Sequence, residues 1–281
     1  MKRPPNAMPP AHEPLLRQAV FALQAGRALE AQMLAAQALE SSPGEPRALQ
    51  ILGYALLRQG QAAEALAPLK QAARRTHDPE VETQYAMALQ QAGRNDDAIA
   101  QLEKAIARRP PFPPAFLIYG SLLSYLERRD EAIAVLRRGL ALAPQAADML
   151  ALLGDNLMAK GEAAAGQAAY RQALAAAPAH VDALYGLARS LQGQGEFAQA
   201  GELFERMAAA APEDAAAQIG LGICRLELGH EEAALAALRR AARMNPRGYA
   251  EALGALSIAG RGRFWLRPSR AAKFLREDVG R

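Results

Sequence analysis

Four histidines, one cysteine and several adjacent carboxylates are the side chains of this 281-residue chain that could support catalysis or metal binding. The histidines stand far apart, at His12, His77, His180 and His230, and Cys224 has no second cysteine with which to form a disulfide or a cysteine-rich metal site. The sequence contains no nucleophile beside a general base, no metal-ligand motif and no phosphate loop. It therefore predicts no catalytic site, no metal and no cofactor.

Pairs of carboxylates are the other groups that could act as acids and bases. Three pairs follow a turn directly, where acidic side chains stabilise the positive end of the next helix, so capping explains them without catalysis. These pairs are Asp96-Asp97, Asp130-Glu131 and Glu231-Glu232. The pair Asp155-Asn156 differs, because Asn156 occupies a place that is usually small and apolar in comparable segments. Two interpretations stay open: Asn156 is a buried amide with a local partner, or it offers a hydrogen bond to the backbone of a ligand.

The elements that must position these side chains are short amphipathic helices arranged in pairs. In residues 181–214, the first helix carries an apolar stripe at i, i+3, i+4 and i+7. Its members are Leu184, Leu187, Ala188 and Leu191. Gly193 and Gly195 interrupt this helix, and a second stripe ends before Pro212. Neither helix can bury its stripe alone, so the pair requires neighbours.

The same pattern occurs in seven copies, six of 34 residues and one of 33. Within a copy, apolar residues stand at positions 4, 7 and 24, small residues at 8 and 27, Ala at 20, usually Gly at 15, and Pro at 32. The copies are 12–45, 46–78, 79–112, 113–146, 147–180, 181–214 and 215–248. The first copy has Gln18 and Ala35 where larger apolar residues are usual, which suits an end copy that faces solvent. The second has His77 in place of its closing Pro.

A helix–turn–helix at this period, with these marks, resembles the tetratricopeptide repeat family. The residues that carry the resemblance include Leu52-Gly53, Gly60, Ala65 and Ala72; Tyr119-Gly120, Ala132, Leu136 and Pro144; Leu153-Gly154, Gly161, Tyr170, Ala173 and Pro178; and Leu221-Gly222, Gly229, Ala234, Ala241 and Pro246. The resemblance implies an all-α fold, a right-handed α-solenoid of stacked helix pairs with a capping segment at its C-terminal end. It also implies a non-catalytic scaffold for protein–protein interaction.

In the architecture that the resemblance implies, positions 2, 5, 9 and 12 of each copy line a concave groove. This stripe is more apolar than a solvated face requires, which suits an extended or helical peptide. The predicted partner-binding residues are Tyr54, Leu57, Met87, Leu117, Tyr125, Asp155, Asn156, Tyr185 and Arg189. The alternative is that these side chains contact neighbouring helices and belong mostly to the core.

The resemblance also allows one sub-type to be tested. Family members that clamp the C-terminal carboxylate of chaperones use Lys, Asn and Arg on successive first helices. Position 9 of the seven copies reads Val20, Tyr54, Met87, Ser121, Asp155, Arg189 and Ile223. This set does not match the clamp, so a chaperone tail is not the expected partner. A second hypothesis is an accessory arm that recruits substrate for an enzyme encoded on another chain.

Basic residues concentrate at the C-terminal end. Residues 261–281 carry a net charge of +5, which leaves −1 for the rest of the chain. The candidate tail residues are Arg261, Arg263, Trp265, Arg267, Arg270, Lys273 and Arg276. One interpretation is a terminal cap, in which Phe264, Trp265 and Phe274 cover the last apolar face. The other is a docking segment for an acidic partner, an anionic membrane or, as a weaker hypothesis, a nucleic acid.

The remaining segments complete the predicted organisation. Residues 1–11 are rich in Pro and polar, so we expect a disordered lead-in rather than a secretory signal. Residues 249–281 form a degenerate eighth first helix followed by the basic aromatic cap. No apolar run approaches the ~18 residues of a membrane span. A cytoplasmic location is expected.

Overall fold

The protein is all-helical. The computed structural model describes residues 12–257 together with Lys273 and Leu275, and within these residues it contains fifteen helices and no strand. The predicted fold class is thereby confirmed. The helices are α1 (Glu13–Gln24), α2 (Ala28–Ser41), α3 (Pro46–Arg58), α4 (Ala62–Thr76), α5 (Pro79–Gln91), α6 (Asn95–Ala107), α7 (Pro113–Tyr125), α8 (Arg129–Leu142), α9 (Ala147–Ala159), α10 (Ala163–Ala176), α11 (Val181–Gly193), α12 (Phe197–Ala210), α13 (Ala215–Glu227), α14 (Glu231–Met244) and α15 (Pro246–Ser257).

The chain forms two compact units that divide after Pro144. The first unit contains α1–α8 and the second contains α9–α15. Within each unit, every helix packs against the next one in sequence, and every odd-numbered helix also contacts the following odd-numbered helix. We call the odd-numbered helices inner and the even-numbered helices outer. Each unit is therefore a stack of helix pairs that bury their apolar stripes against neighbours, as the repeat pattern predicts.

The turn inside each copy requires a left-handed backbone at position 15. Gly60, Gly161 and Gly229 occupy this position with φ values of 77°, 80° and 82°. Glycine adopts this conformation without the steric penalty that a Cβ atom causes. The fourth copy has Glu127 here, and its φ is 59°. This copy therefore makes the same turn with a residue that is disfavoured in it.

The inner and outer helices of a copy approach closely because position 8 is small. A Cβ atom on Gly120 would lie 2.6 Å from Leu136 Cδ2, which is closer than side chains tolerate. Gly53 faces Leu69 in the same way, and the corresponding contact in the second unit is made by Gly222. The sequence marks at positions 8 and 24 therefore correspond to one physical contact, a large apolar side chain packed on a bare backbone.

A second close contact joins one copy to the next. Tyr170 and Phe204 are the aromatic residues at position 24, and both are buried. Each ring lies against a glycine at position 6 of the following copy, Gly186 for Tyr170 and Gly220 for Phe204, where an added methyl group would overlap the ring. The space that these rings fill is therefore provided by the neighbouring copy.

One turn and two core positions depart from the repeat pattern. His77, which replaces the closing Pro of the second copy, ends α4 in the left-handed conformation with φ of 52°. Position 4 is polar in two copies, where it is occupied by Glu82 and Gln218, and both side chains are buried. Glu82 is accommodated because Arg108 binds its carboxylate through two nitrogen atoms. The expectation of an apolar residue at position 4 is therefore wrong in the third and seventh copies.

One face of α1 is exposed, in agreement with an end copy that faces solvent. Phe21 is 63% exposed, whereas the residues at the same position of the six later copies are buried. Arg17 and Gln24 are exposed on the same face. Near the other end, the buried side chain of Leu275 packs in one cluster with α13, α14 and α15. Part of the tail thus contributes to the core of the second unit.

Candidate functional site

The second unit contains an open cavity of about 940 Å³ beside α11. The turn between α12 and α13 and the first residues of α13 and α15 complete its wall. The lining residues that carry polar or aromatic groups are Asp182, Tyr185, Arg189, Glu213, Asp214, Asn245, Arg247 and Glu251. Open concave sites with an aromatic wall and a few placed polar groups are typical of binding surfaces.

Tyr185 and Arg189, both predicted from the sequence, lie on one face of α11 and line this cavity together. The Tyr185 side chain is 38% exposed, and its ring meets the Phe204 ring edge-on at 6.5 Å. The Arg189 guanidinium lies 5.9 Å from the centre of the Tyr185 ring. Because Phe204 is fully buried, it supports Tyr185 from below, and Arg189 packs against the exposed side.

Two of the four acidic side chains of the cavity are engaged within the protein, one as a helix cap and one in an ion pair with Arg. Asp214 accepts a hydrogen bond from the backbone N–H of Ala216, which caps α13. Glu251 accepts a 2.7 Å hydrogen bond from Arg247 Nε, and this carboxylate raises the pKa of Arg247. Asp182 and Glu213 make no such bond within the described part of the chain. They leave negative charge available at the wall.

Asp155 lies on α9 in the same unit and is joined to the outer helix α10. Tyr170 donates a 2.6 Å hydrogen bond from its hydroxyl to Asp155 Oδ1. Desolvation raises the pKa of Asp155 even though the residue as a whole is exposed, and the Asp182 carboxylate adds to the rise, while the Tyr170 hydrogen bond opposes it. Desolvation and the same hydrogen bond raise the pKa of Tyr170.

Asn156 and Leu57 are buried, unlike the other residues predicted to bind a partner. Asn156 Nδ2 donates a 2.8 Å hydrogen bond to the carbonyl of Leu152 in its own helix. The first of the two interpretations of this amide, a buried group with a local partner, describes what is found. Leu57 is 5% exposed on α3, so its side chain contributes to packing.

The predicted residues of the first unit lie on three inner helices. Tyr54 on α3, Met87 on α5 and Leu117 on α7 are partly exposed. Tyr125, the last residue of α7, is 73% exposed. Position 9 of the copies is therefore at least partly exposed in both units, whereas exposure at positions 5 and 12 differs from copy to copy.

Sequence reasoning did not select Asn245, Arg247 and Glu251, which also line the cavity of the second unit. They belong to the turn before α15 and to its first two turns, outside the stripe that defines the groove within a copy. Asn245 accepts a hydrogen bond from the N–H of Gly248 and so fixes the start of α15. The sequence signal that could have found them is Pro246, which favours the first turn of a helix.

The described residues contain no group of three or more His, Cys, Asp or Glu side chains placed to hold a metal ion. Cys224 is buried, and this burial raises the pKa of its thiol to about 11. His180 caps α11 by accepting from the N–H of Ala183, and its Nε2 lies 2.9 Å from Asp148 Oδ1. In the part of the chain that the structure describes, no helix is long and apolar enough to cross a membrane.

Most of the basic tail, and the Pro-rich segment 1–11, lie outside the described residues. The tail residues concerned are Arg261, Arg263, Trp265, Arg267, Arg270 and Arg276. Lys273 is described and is exposed. Leu275 is buried against Leu226, Leu238 and Leu256, which is the kind of contact that a terminal cap makes.

Comparison with known protein families gives matches along most of the repeats. The model named for subunit 3 of the anaphase-promoting complex, or cyclosome, matches residues 25–105. One tetratricopeptide repeat model matches residues 89–155, and another matches residues 151–215 and 185–249. The two tetratricopeptide models together span residues 89–249, which is more than half of the chain. No curated protein matches it.

Several solved structures share the fold. A tetratricopeptide protein of Thermus thermophilus is 26% identical over 65% of this chain and all of its own length, with a TM-score of 0.55. The pilF protein of Pseudomonas aeruginosa is 20% identical, covering 73% of this chain and 95% of its own, with a TM-score of 0.64. A tetratricopeptide protein of Parabacteroides merdae is 15% identical, covering 94% and 98%, with a TM-score of 0.60.

The stack of helix pairs and the close contact between positions 8 and 24 agree with the family models that match residues 89–249. The chain belongs to the tetratricopeptide repeat family.

Proposed function

We propose that this protein is a non-catalytic scaffold that binds a segment of a protein partner on its inner helices, with the cavity beside α11 as the main anchoring site. Tetratricopeptide repeat proteins in general are scaffolds for protein interaction, and this family membership supports the coarse function. The observation that carries the finer proposal is the exposed Tyr185 ring, held between Phe204 and Arg189 at the wall of a 940 Å³ cavity.

The chemistry of the wall suits a polypeptide with both apolar and polar side chains. Tyr185 offers a rigid aromatic surface, and rigid aromatic residues and Arg are the usual anchors of protein interfaces. Arg189 forms no salt bridge within the described residues and so is available to a carboxylate or a backbone carbonyl of the partner. Asp182 and Glu213 can accept hydrogen bonds from the partner's backbone or from its cationic groups.

The exposed inner-helix residues of the first unit extend the proposal to that unit. Tyr54, Met87, Leu117 and Tyr125 are accessible apolar side chains on successive inner helices. They would contact the partner through apolar burial, with Met adapting to an irregular surface. Leu57 contributes to folding instead, because truncating a buried Leu to Ala costs about 2–5 kcal/mol.

The test is affinity capture from the native cell with mass spectrometry, followed by calorimetry with the purified partner. The baits are the intact chain, a Tyr185→Ala/Arg189→Ala variant and a Tyr54→Ala/Tyr125→Ala variant. The matched control is Glu202→Ala/Arg240→Ala, which removes two exposed side chains from outer helices of the second unit.

We expect the intact chain and the control to bind the same partner, and the Tyr185/Arg189 variant to bind at least about tenfold more weakly, because each anchor contributes more than about 1 kcal/mol. Circular dichroism establishes that each bait is folded. Unchanged affinity in a folded Tyr185/Arg189 variant would contradict the anchoring site. Loss restricted to the Tyr54/Tyr125 variant would transfer recognition to the first unit.

A further inference from the structure

A second pocket, of about 390 Å³, lies in the first unit between the outer helices α4 and α6, above α5. Its lining contains five cationic side chains and two carboxylates, a net charge of +3 with His77 neutral. The charged lining residues are Lys70, Arg74, Glu82, Arg94, Asp97, Lys104 and Arg108. We call this the cationic pocket. It lies in the other unit from the cavity beside α11, and outer helices form its rim.

The floor of the cationic pocket is an ion pair that fixes Arg108. Glu82 is buried, and its carboxylate accepts hydrogen bonds of 2.6 Å from Arg108 Nη2 and 3.1 Å from Nε. His77 Nδ1 lies 3.4 Å from the same Nη2 atom. These contacts hold the guanidinium plane in one orientation. The buried carboxylate raises the pKa of Arg108, so the side chain remains charged.

The rim of the pocket provides the excess positive charge. Lys70 and Arg74 on α4 and Lys104 on α6 are exposed, and none of the three forms a salt bridge with another described residue. Arg94 is different, because it is paired with Asp97 at 2.6 Å. The two carboxylates of the lining are thus neutralised by Arg94 and Arg108, and three cations around one concave surface have no counter-charge.

We propose that the cationic pocket binds an acidic segment of a polypeptide, whose Asp or Glu carboxylates pair with Lys70, Arg74 and Lys104. Three uncompensated cations around a concavity attract carboxylates and suppress cationic partners. The wall favours a peptide over a nucleic acid, because Tyr85, its one Phe, Tyr or Trp residue, is buried at 9% exposure and offers no ring on which a base could stack. The imidazole of His77 contacts the guanidinium of Arg108. The protein then has two interaction surfaces, one on each unit.

The direct test uses defined probes and the purified full-length chain. A short fluorescein-labelled peptide of alternating Glu and Asp is titrated by fluorescence anisotropy at low ionic strength, beside its Gln and Asn counterpart. The test variant is Lys70→Gln/Lys104→Gln. The matched control is Arg58→Gln/Arg137→Gln, which removes two exposed cations from the same unit, outside the pocket.

We expect the acidic peptide to bind, the neutral peptide not to bind, and Lys70→Gln/Lys104→Gln to lower the affinity at least about tenfold, since two of three uncompensated cations are lost. The control should change the affinity less than about twofold, and added salt should weaken binding. Tyr185→Ala/Arg189→Ala should leave it unchanged, which separates this site from the cavity beside α11.

Four results would overturn the proposal. The acidic peptide does not bind, both double variants lose affinity equally, or orthophosphate at matched total charge displaces the peptide. The fourth is that a uridine oligonucleotide binds in place of the peptide and that the Lys70/Lys104 variant loses this binding. All substituted side chains are exposed, so circular dichroism should show the same helical content in every variant.

Discussion

At the scale of single residues, Glu127 and Asp155 are each held in a state that costs free energy. Glu127 adopts the left-handed conformation that glycine adopts in other copies. Asp155 has a carboxylate whose charged form is disfavoured by partial desolvation. Each makes a stability prediction whose sign follows from the local physics alone, independently of any partner.

Glu127→Gly should stabilise the protein. The left-handed conformation costs a residue with a Cβ atom about 1–2 kcal/mol, and glycine's larger loss of backbone entropy offsets about 0.5–1 kcal/mol of the gain. The net increase in the free energy of unfolding should be about 0.5–1 kcal/mol. The exposed pair between Glu127 and Arg129, at 4.0 Å, contributes little. Urea unfolding followed by circular dichroism measures the change. Glu127→Ala is the control and should give no gain, because it keeps the Cβ atom.

Asp155 should make stability depend on pH in a defined direction. Its pKa is raised in the folded state above the ordinary value of 3.8, so the folded chain binds this proton more tightly than the unfolded chain. The contribution of Asp155 to the free energy of unfolding therefore increases as the pH falls through the folded-state pKa toward 3.8. Below the unfolded-state pKa of 3.8, this contribution is constant.

Asp155→Asn removes this titration and keeps an oxygen atom that can accept from Tyr170. The unfolding free energy of the native chain, relative to this variant, should therefore be higher below pH 3.8 than at neutral pH. Urea titrations of both proteins at the two pH values measure the difference. If the stability of the native chain relative to Asp155→Asn stays constant or falls on acidification, the carboxylate of Asp155 is well solvated and its pKa is not raised.

At the scale of helices, the contact between Phe204 and Gly220 makes a sharper prediction. Gly220→Ala places a methyl group against a ring that is fully buried and cannot move away. Overpacking of this kind should lower the free energy of unfolding by about 1–3 kcal/mol. Gly193→Ala is the control, since a methyl group at Gly193 meets no atom within 4 Å and should change stability little.

The double variant Gly220→Ala/Phe204→Leu should recover part of that loss. Leu is the residue at position 24 in the second, third and fourth copies, each of which is followed by a copy with a larger residue at position 6. The coupling energy between the two substitutions should exceed about 1 kcal/mol. Additive losses would mean that the two residues do not share the space that their contact implies.

Most of the fold could be predicted at this scale because each repeat mark corresponds to one contact between helices. The functional surface was less predictable. Positions 5 and 9 gave Tyr185 and Arg189, which line the cavity of the second unit, but position 12 gave Leu57, which is buried. The pattern within one copy does not report how closely the next copy approaches. Glu82 could not be assigned from its position for a different reason, since its charge is balanced by Arg108, which directly follows α6 in the same copy.

At the scale of the whole molecule, the two units present different chemistry. The cationic pocket belongs to the first unit, and the aromatic cavity with its unpaired carboxylates belongs to the second. A scaffold with two unlike surfaces can bind two segments, and binding at one surface raises the effective concentration of the other segment. The substitutions proposed for the two sites lie in separate units, so their effects on the binding of probes that occupy only one site should be independent.

The pairing of each position-24 ring with a glycine in the next copy also bears on how such a chain can change through evolution. Exchanging residues 181–214 alone for those of another copy would separate Tyr170 from Gly186 and Phe204 from Gly220. A segment that begins within an inner helix, after its glycine, and ends after the next glycine would instead keep each ring with the space it fills. In this part of the chain, the segment that can be exchanged without disturbing the packing is therefore offset from the sequence repeat. Its ends lie within inner helices rather than between copies.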